Sequence, residues 1–97
     1  MRQYDVVRLT GGEIVVLLQS DLLDAMSTRV VVPLVALKQV EPTPRLHPKF
    51  RLGRREFVVA MEQITSVRAA DVGKVLGSAQ SIDYEIKRAF DMVLSGV

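Results

Sequence analysis

One stretch of the 97 residues carries a sustained helical period, and it constrains everything before it. Ile82, Ile86, Ala89, Phe90, Val93 and Leu94 trace a single face at 3.6-residue spacing, with Asp83, Glu85, Lys87, Arg88 and Asp91 elsewhere on the wheel. The spacing predicts a helix from Ser81 to about Leu94. Ser81 or Asp83 is placed to cap its start, and Gly96 to take the left-handed turn that ends it. Upstream the period is two or absent, so the chain reads as α+β and mainly β, one helix closing a run of short strands. With 97 residues it is a single domain over 1–97 with a thin core, for which dimerisation would add burial.

Tyr4–Leu9 and Glu13–Gln19 are rich in Val, Ile and Leu around Thr10-Gly11-Gly12, whose two glycines can supply the positive φ of a tight hairpin. Arg29–Leu37, "RVVVPLVAL", reads as a strand buried on both faces over part of its length. Pro33 cannot donate to a ladder and belongs at an edge, a bulge or a break. Between these runs lies "QSDLLDAMST", residues 19–28, a polar loop that carries the adjacent pair Leu22 and Leu23. Adjacent residues cannot both enter one core from an extended strand, so at least one is expected at the surface. Glu41–Pro48 is a stiff loop with three of the four prolines. Lys49–Met61 predicts a second hairpin around Gly53-Arg54-Arg55, with a turn of about three to four residues. Gln63–Val67 extends the sheet, and Arg68–Gln80 reads as turns with a short strand at Lys74–Leu76.

Chemistry is sparse. With no cysteine there is no disulfide, thiolate nucleophile or cysteine metal site, which suits a reducing cytoplasm. His47 is the only histidine, a poor basis for a metal site, and no cofactor is implied. Gly11-Gly12 lacks the helix and Lys-Ser/Thr pair of a phosphate loop. Arg45, Lys49, Arg51, Arg54 and Arg55 form a basic stretch, with Lys49 and Arg51 on the face opposite Phe50 and Leu52. A net charge of +2 does not by itself argue direct nucleic-acid binding, and the stretch reads first as a solvated outer face. No signal peptide or membrane span is expected: the apolar run Val30–Leu37 is short and contains Pro33.

Taken in order, "QSDLLD" (19–24), "RVVVPL" (29–34), "LHPKFRLGRREF" (46–57), "ITSVRAADVG" (64–73) and "EIKRAFDMVLSGV" (85–97) resemble the CcdB family of toxins from bacterial toxin–antitoxin modules, over nearly the full length. The resemblance implies an SH3-like barrel: a main antiparallel sheet, a small accessory sheet and the C-terminal helix. It implies a homodimer formed around the helices' C-terminal ends, through Asp91, Met92, Leu94, Ser95, Gly96 and Val97. It implies a cytoplasmic, plasmid-maintenance type of toxin that acts by binding, not as an enzyme. Its target would be the A subunit of DNA gyrase, whose cleaved DNA complex it poisons as a gyrase inhibitor until a CcdA-like antitoxin removes it.

By position, the gyrase-binding residues would be Leu22, Leu23, Asp91, Leu94, Ser95, Gly96 and Val97. The family ends in Trp-Gly-Ile, its tryptophan stacking on a gyrase arginine. Here Gly96 and Val97 match the last two residues, and Ser95 stands in the tryptophan's place. Leu94 replaces a phenylalanine and Asp91 an asparagine. The resemblance therefore implies gyrase poisoning of reduced or altered potency. Two alternatives are an antitoxin-binding homologue without gyrase activity and a toxin ribonuclease on the same barrel, which would recruit His47 and the basic stretch.

Overall fold

Seven strands and one helix organise residues 1–96, the part of the chain that the computed structural model describes. β1 (Asp5–Leu9) and β2 (Ile14–Leu17) form the first hairpin, with Val6 opposite Val16. Of the two glycines between them, Gly12 alone takes a positive φ, at 99°. β3 (Thr28–Ala36) lies along β2, with Val32 opposite Val16. β4 (Lys49–Leu52) and β5 (Arg55–Val59) make the second hairpin. Leu52 pairs with Arg55, so its turn is two residues, Gly53-Arg54, and not three to four; Gly53 at φ 62° permits the tighter reversal.

Pro33 sits inside β3 without breaking it. Val31 is flanked by Leu17 on one edge and by Thr65 of β6 (Thr65–Arg68) on the other. Beyond the proline, Leu34–Ala36 pair with Phe57–Val59 of β5. Along that second edge the chain leaves the ladder between β5 and β6 as a 3-10 turn, Met61–Gln63, opposite Pro33. The residue without an N–H thus occupies the gap where its neighbour strand steps away, while its carbonyl accepts from the Ala60 N–H at 3.0 Å.

β7 is longer than the sequence suggests. It runs Val72–Ser78 and pairs with β1 through two irregularities. Gly73 and Gly77 read as turn residues, yet they are sites of close approach. A Cβ on Gly73 would stand 2.7 Å from the Arg8 carbonyl oxygen, and one on Gly77 2.8 Å from Leu52 Cδ1. The second contact also shows how far the sheet curls. Strand order is β4-β5-β3-β2-β1-β7, so β4 and β7 are the outer strands, and curvature brings Leu52 back onto Gly77. The result is a half-closed antiparallel barrel, with β3, β5 and β4 as its small accessory sheet.

Consecutive strand residues are buried on both faces. Val6, Val16 and Val32 join Phe50, Phe57 and Met61 on one side; Val7, Val15, Leu17 and Val31 form a smaller cluster on the other. Each such side chain contributes about 1.5–3 kcal/mol when fully buried. The helix α1 (Asp83–Ser95) covers the first cluster with Ile86 and Ala89. It begins two residues later than Ser81, out of a 3-10 turn at Gln80–Ile82, and neither Ser81 nor Asp83 caps it: the N-cap is Ile82, without a side-chain hydrogen bond. Asp83 instead lies in the first turn, where a carboxylate favours the helix dipole, 3.7 Å from Lys87. Gly96 ends α1 as expected, at φ 75°, its N–H donating to the Met92 carbonyl at 2.8 Å.

Candidate functional site

A groove of about 500 Å³ opens between α1 and the start of the sheet. Leu23 and Val30 form one wall, Phe90 and Asp91 the other, with Tyr4 and Ile86 among its lining residues. The fold thus brings together two sequence segments that lie 67 positions apart in the case of Leu23 and Phe90. The polar loop and the helix end are neighbours because β2 delivers the chain to residue 18 on the side of the barrel that α1 covers.

Leu22 and Leu23 sit on a single 3-10 turn, Asp21–Leu23. Ser20 starts it, its hydroxyl accepting from the Leu22 N–H at 3.2 Å. Asp21 ties it to the N-terminal segment by accepting from the Gln3 N–H at 2.8 Å. No residue of the turn is buried, and Leu22 is 93% exposed. A leucine so placed contributes nothing to this chain's own core.

The helix end is similar. Leu94 is 69% exposed, and Phe90 and Val93, which the helical wheel places on the core face, are exposed as well. Met92 is half-buried. Asp91 is exposed and has no ion pair among the described residues. The Ser95 hydroxyl donates to the Asp91 carbonyl at 2.8 Å, so its polar atom is spent within the helix. Val97, expected at both the gyrase and dimer contacts, lies outside the described residues.

The candidate residues therefore divide. Leu23 and Asp91 share the groove, whereas Leu22, Leu94, Ser95 and Gly96 are exposed and are not among its lining residues. Sequence reasoning missed Phe90, Val93 and Met26 as surface residues. The first two carry a core signature, and Met26 stands in a loop that periodicity does not describe.

His47 is held at both ring nitrogens. Nδ1 accepts from the Thr43 N–H at 2.8 Å, which leaves the hydrogen on Nε2, 2.9 Å from Glu62 Oε2. Burial alone would raise the Glu62 carboxyl, but the hydrogen bond from His47 and a backbone hydrogen bond together hold it below its ordinary value. The basic stretch is part of the outer surface. Arg51 pairs with Glu56 at 3.3 Å, Arg55 lies 4.8 Å over the Phe57 ring, and Lys49 and Arg51 face outward as the alternation requires. Lys38, Arg54 and Arg55 line a second groove of about 530 Å³. Among the described residues no three His, Asp or Glu side chains converge on a metal position, and no helix is long and apolar enough to cross a membrane.

A family model described as CcdB protein matches residues 3–96. No curated protein matches the sequence. Among solved structures, the chain is similar to an endoribonuclease in complex with its cognate antitoxin from a mycobacterial species, with a TM-score of 0.81 at 15% identity, covering 97% of this chain and 94% of that one. It is similar to the Mycobacterium tuberculosis toxin MazF-mt6, with a TM-score of 0.79 at 14% identity over 96% of each chain. It is also similar to MazE-MazF from Deinococcus radiodurans, with a TM-score of 0.77 at 11% identity, covering 100% of this chain and 98% of that one. At such identities the likeness is one of fold.

Proposed function

The chain belongs to the CcdB family, and on that premise we propose that it is the toxin of a type II toxin–antitoxin pair, acting in the cytoplasm by gripping the A subunit of DNA gyrase and poisoning its cleaved DNA complex. One observation carries the reading: Leu22 on its turn and Leu94 at the end of α1 are both left exposed, and their near neighbours Leu23, Phe90 and Asp91 line one groove. Large apolar side chains left uncovered together mark a contact surface. Asp91, unpaired on the same face, supplies a carboxylate for a partner arginine.

The grip is aliphatic. Ser95 offers no ring, and its hydroxyl is already occupied, so Leu22, Leu23 and Leu94 bear the anchoring, with Gly96 and Val97 as further contacts. Two copies meet around the helix ends through Asp91, Met92, Leu94, Ser95, Gly96 and Val97. A CcdA-like antitoxin with an acidic, disordered tail wraps the basic outer surface, ordering as it binds.

Overexpression in a sensitive host, with supercoiling by purified gyrase as the readout, tests the target. Inhibition with trapped cleaved DNA is expected; undisturbed supercoiling at saturating protein overturns the gyrase reading. The basic groove of Lys38, Arg54 and Arg55 favours a second reading, RNA cleavage, as performed by the endoribonuclease of similar fold. Against it, the one histidine has both ring nitrogens committed to Thr43 and Glu62, so no free general base accompanies the cations. Labelled RNA of several sequences, left intact by the pure protein, excludes cleavage.

A further inference from the structure

The turn that presents Leu22 cannot hold its shape by burial. Leu22, Leu23 and Met26 are all exposed, and no residue of the turn is buried. Its backbone bonds are few: Leu23 N–H to Ser20 at 2.9 Å, Met26 N–H to Leu23 at 3.1 Å, and Asp24 N–H to Asp21 at a long 3.3 Å. Asp21 Oδ1, accepting from the Gln3 N–H at 2.8 Å, ties down the start of the turn, and the carbonyls of its later residues are held by side chains that flank the loop. Arg29, in β3, donates through Nη2 to the Asp24 carbonyl at 2.8 Å, and through Nη1 to the carbonyls of Thr28, at 3.0 Å, and of Met26. Gln19, just past β2, donates through Nε2 to the Leu23 carbonyl at 3.0 Å while its Oε1 accepts from the Val30 N–H at 3.1 Å. Three loop carbonyls, those of Leu23, Asp24 and Met26, are thus held by two side chains that flank the loop.

We infer that Arg29 and Gln19 are positioning residues for the Leu22 knob, fixing it in its binding shape before any partner arrives. The part about binding rests on the reading of Leu22 as a gyrase anchor. A rigid anchor binds more tightly than a mobile one because less ordering accompanies association. Arginine is required because its planar fork reaches several carbonyls at once, where a lysine ammonium would act as one point charge.

Amide hydrogen exchange on the full chain tests the clamp without reference to a target. In Arg29→Met, the Leu23, Asp24 and Met26 amides should exchange about tenfold faster while Val16 and Val32 keep their protection. Unchanged loop protection overturns the inference. Gln19→Met carries the same test should Arg29→Met fail to fold. Arg29→Lys should behave as Arg29→Met does; protection equal to wild type would overturn the role of the fork. Affinity for purified gyrase A subunit then separates positioning from contact. Arg29→Met should weaken binding about tenfold in the native background and several-fold less in Leu22→Ala, where Leu23 alone still profits from the fixed turn. Equal losses in both backgrounds overturn positioning. If Leu22→Ala leaves affinity unchanged, the gyrase reading falls, while the exchange result still decides the clamp.

Discussion

One apolar repeat runs the length of α1, and its two halves end differently. Ile86 and Ala89 are buried, at 3% and 0% exposure, against the turn that holds Met61. Phe90, Val93 and Leu94 continue the same spacing and are left open. Sequence alone makes the halves alike; the floor beneath them does not. Ile86 and Ala89 of the first half share the core cluster with Met61 and Ala79, which Phe90, Val93 and Leu94 of the second half do not join. A helical wheel tells which side chains gain from cover, not whether this chain supplies it.

The largest effect should separate the halves by stability. Ile86→Ala should cost about 2–4 kcal/mol in denaturant unfolding, through lost burial and the cavity left behind. Leu94→Ala should stay within about 0.5 kcal/mol at dilute protein. If Leu94→Ala loses as much, and the loss depends on protein concentration, a second copy covers the open half and the contrast belongs to the isolated chain alone.

Binding should reverse the ranking. Leu22→Asp, at the most exposed apolar position, should reduce gyrase affinity by at least about thirty-fold, about 2 kcal/mol, with the melting temperature almost unmoved. Unchanged affinity would show that the Leu22 turn is not where gyrase sits.

What was legible in the sequence follows the same divide. Where a residue's role is settled by its neighbours in sequence, it could be read: the Gly12 and Gly53 reversals, the outward Lys49 and Arg51, the helix and its Gly96 stop. Where the role depends on a strand far along the chain, it could not. Gly73 and Gly77 resembled turn residues because the Arg8 carbonyl and Leu52 that crowd them are distant in sequence. Phe90 and Val93 looked like core for the same reason. Of the site, strand geometry put at least one of Leu22 and Leu23 at the surface, and both are exposed, on a 3-10 turn; the Gln19 and Arg29 ties to that turn required the folded loop.

Ser95 offers a way to strengthen the open half. Ser95→Trp should raise gyrase affinity about tenfold, about 1–2 kcal/mol, if an arginine on the partner stacks on the ring. The hydroxyl bond to Asp91 is exposed and its loss minor. Gain of killing in a host that tolerates the native chain would identify an antitoxin-binding homologue whose grip on gyrase had lapsed; no gain would mean the partner presents no cation there. Gly96→Ala should cost about 1 kcal/mol of stability: no atom lies within 4 Å of the added Cβ, so the penalty is that of an alanine at φ 75°.

The smallest effect probes the floor of the docked half. Glu62 belongs to the Met61–Gln63 turn on which α1 leans, and His47 ties that turn to the proline-rich loop. Because the folded state holds the Glu62 carboxyl below its ordinary value of 4.5, its contribution is present in full above the unfolded value and fades as pH falls through the lower folded one. The pair is partly exposed, so solvent screening limits it to about 0.5 kcal/mol. Glu62→Gln should therefore trail wild type slightly at about pH 6, with the gap closing as the pH falls below the ordinary Glu62 value. A gap that persists into acid would mean that the carboxylate's charge is not what steadies the turn, and that the docked half of α1 owes its footing to Met61 alone.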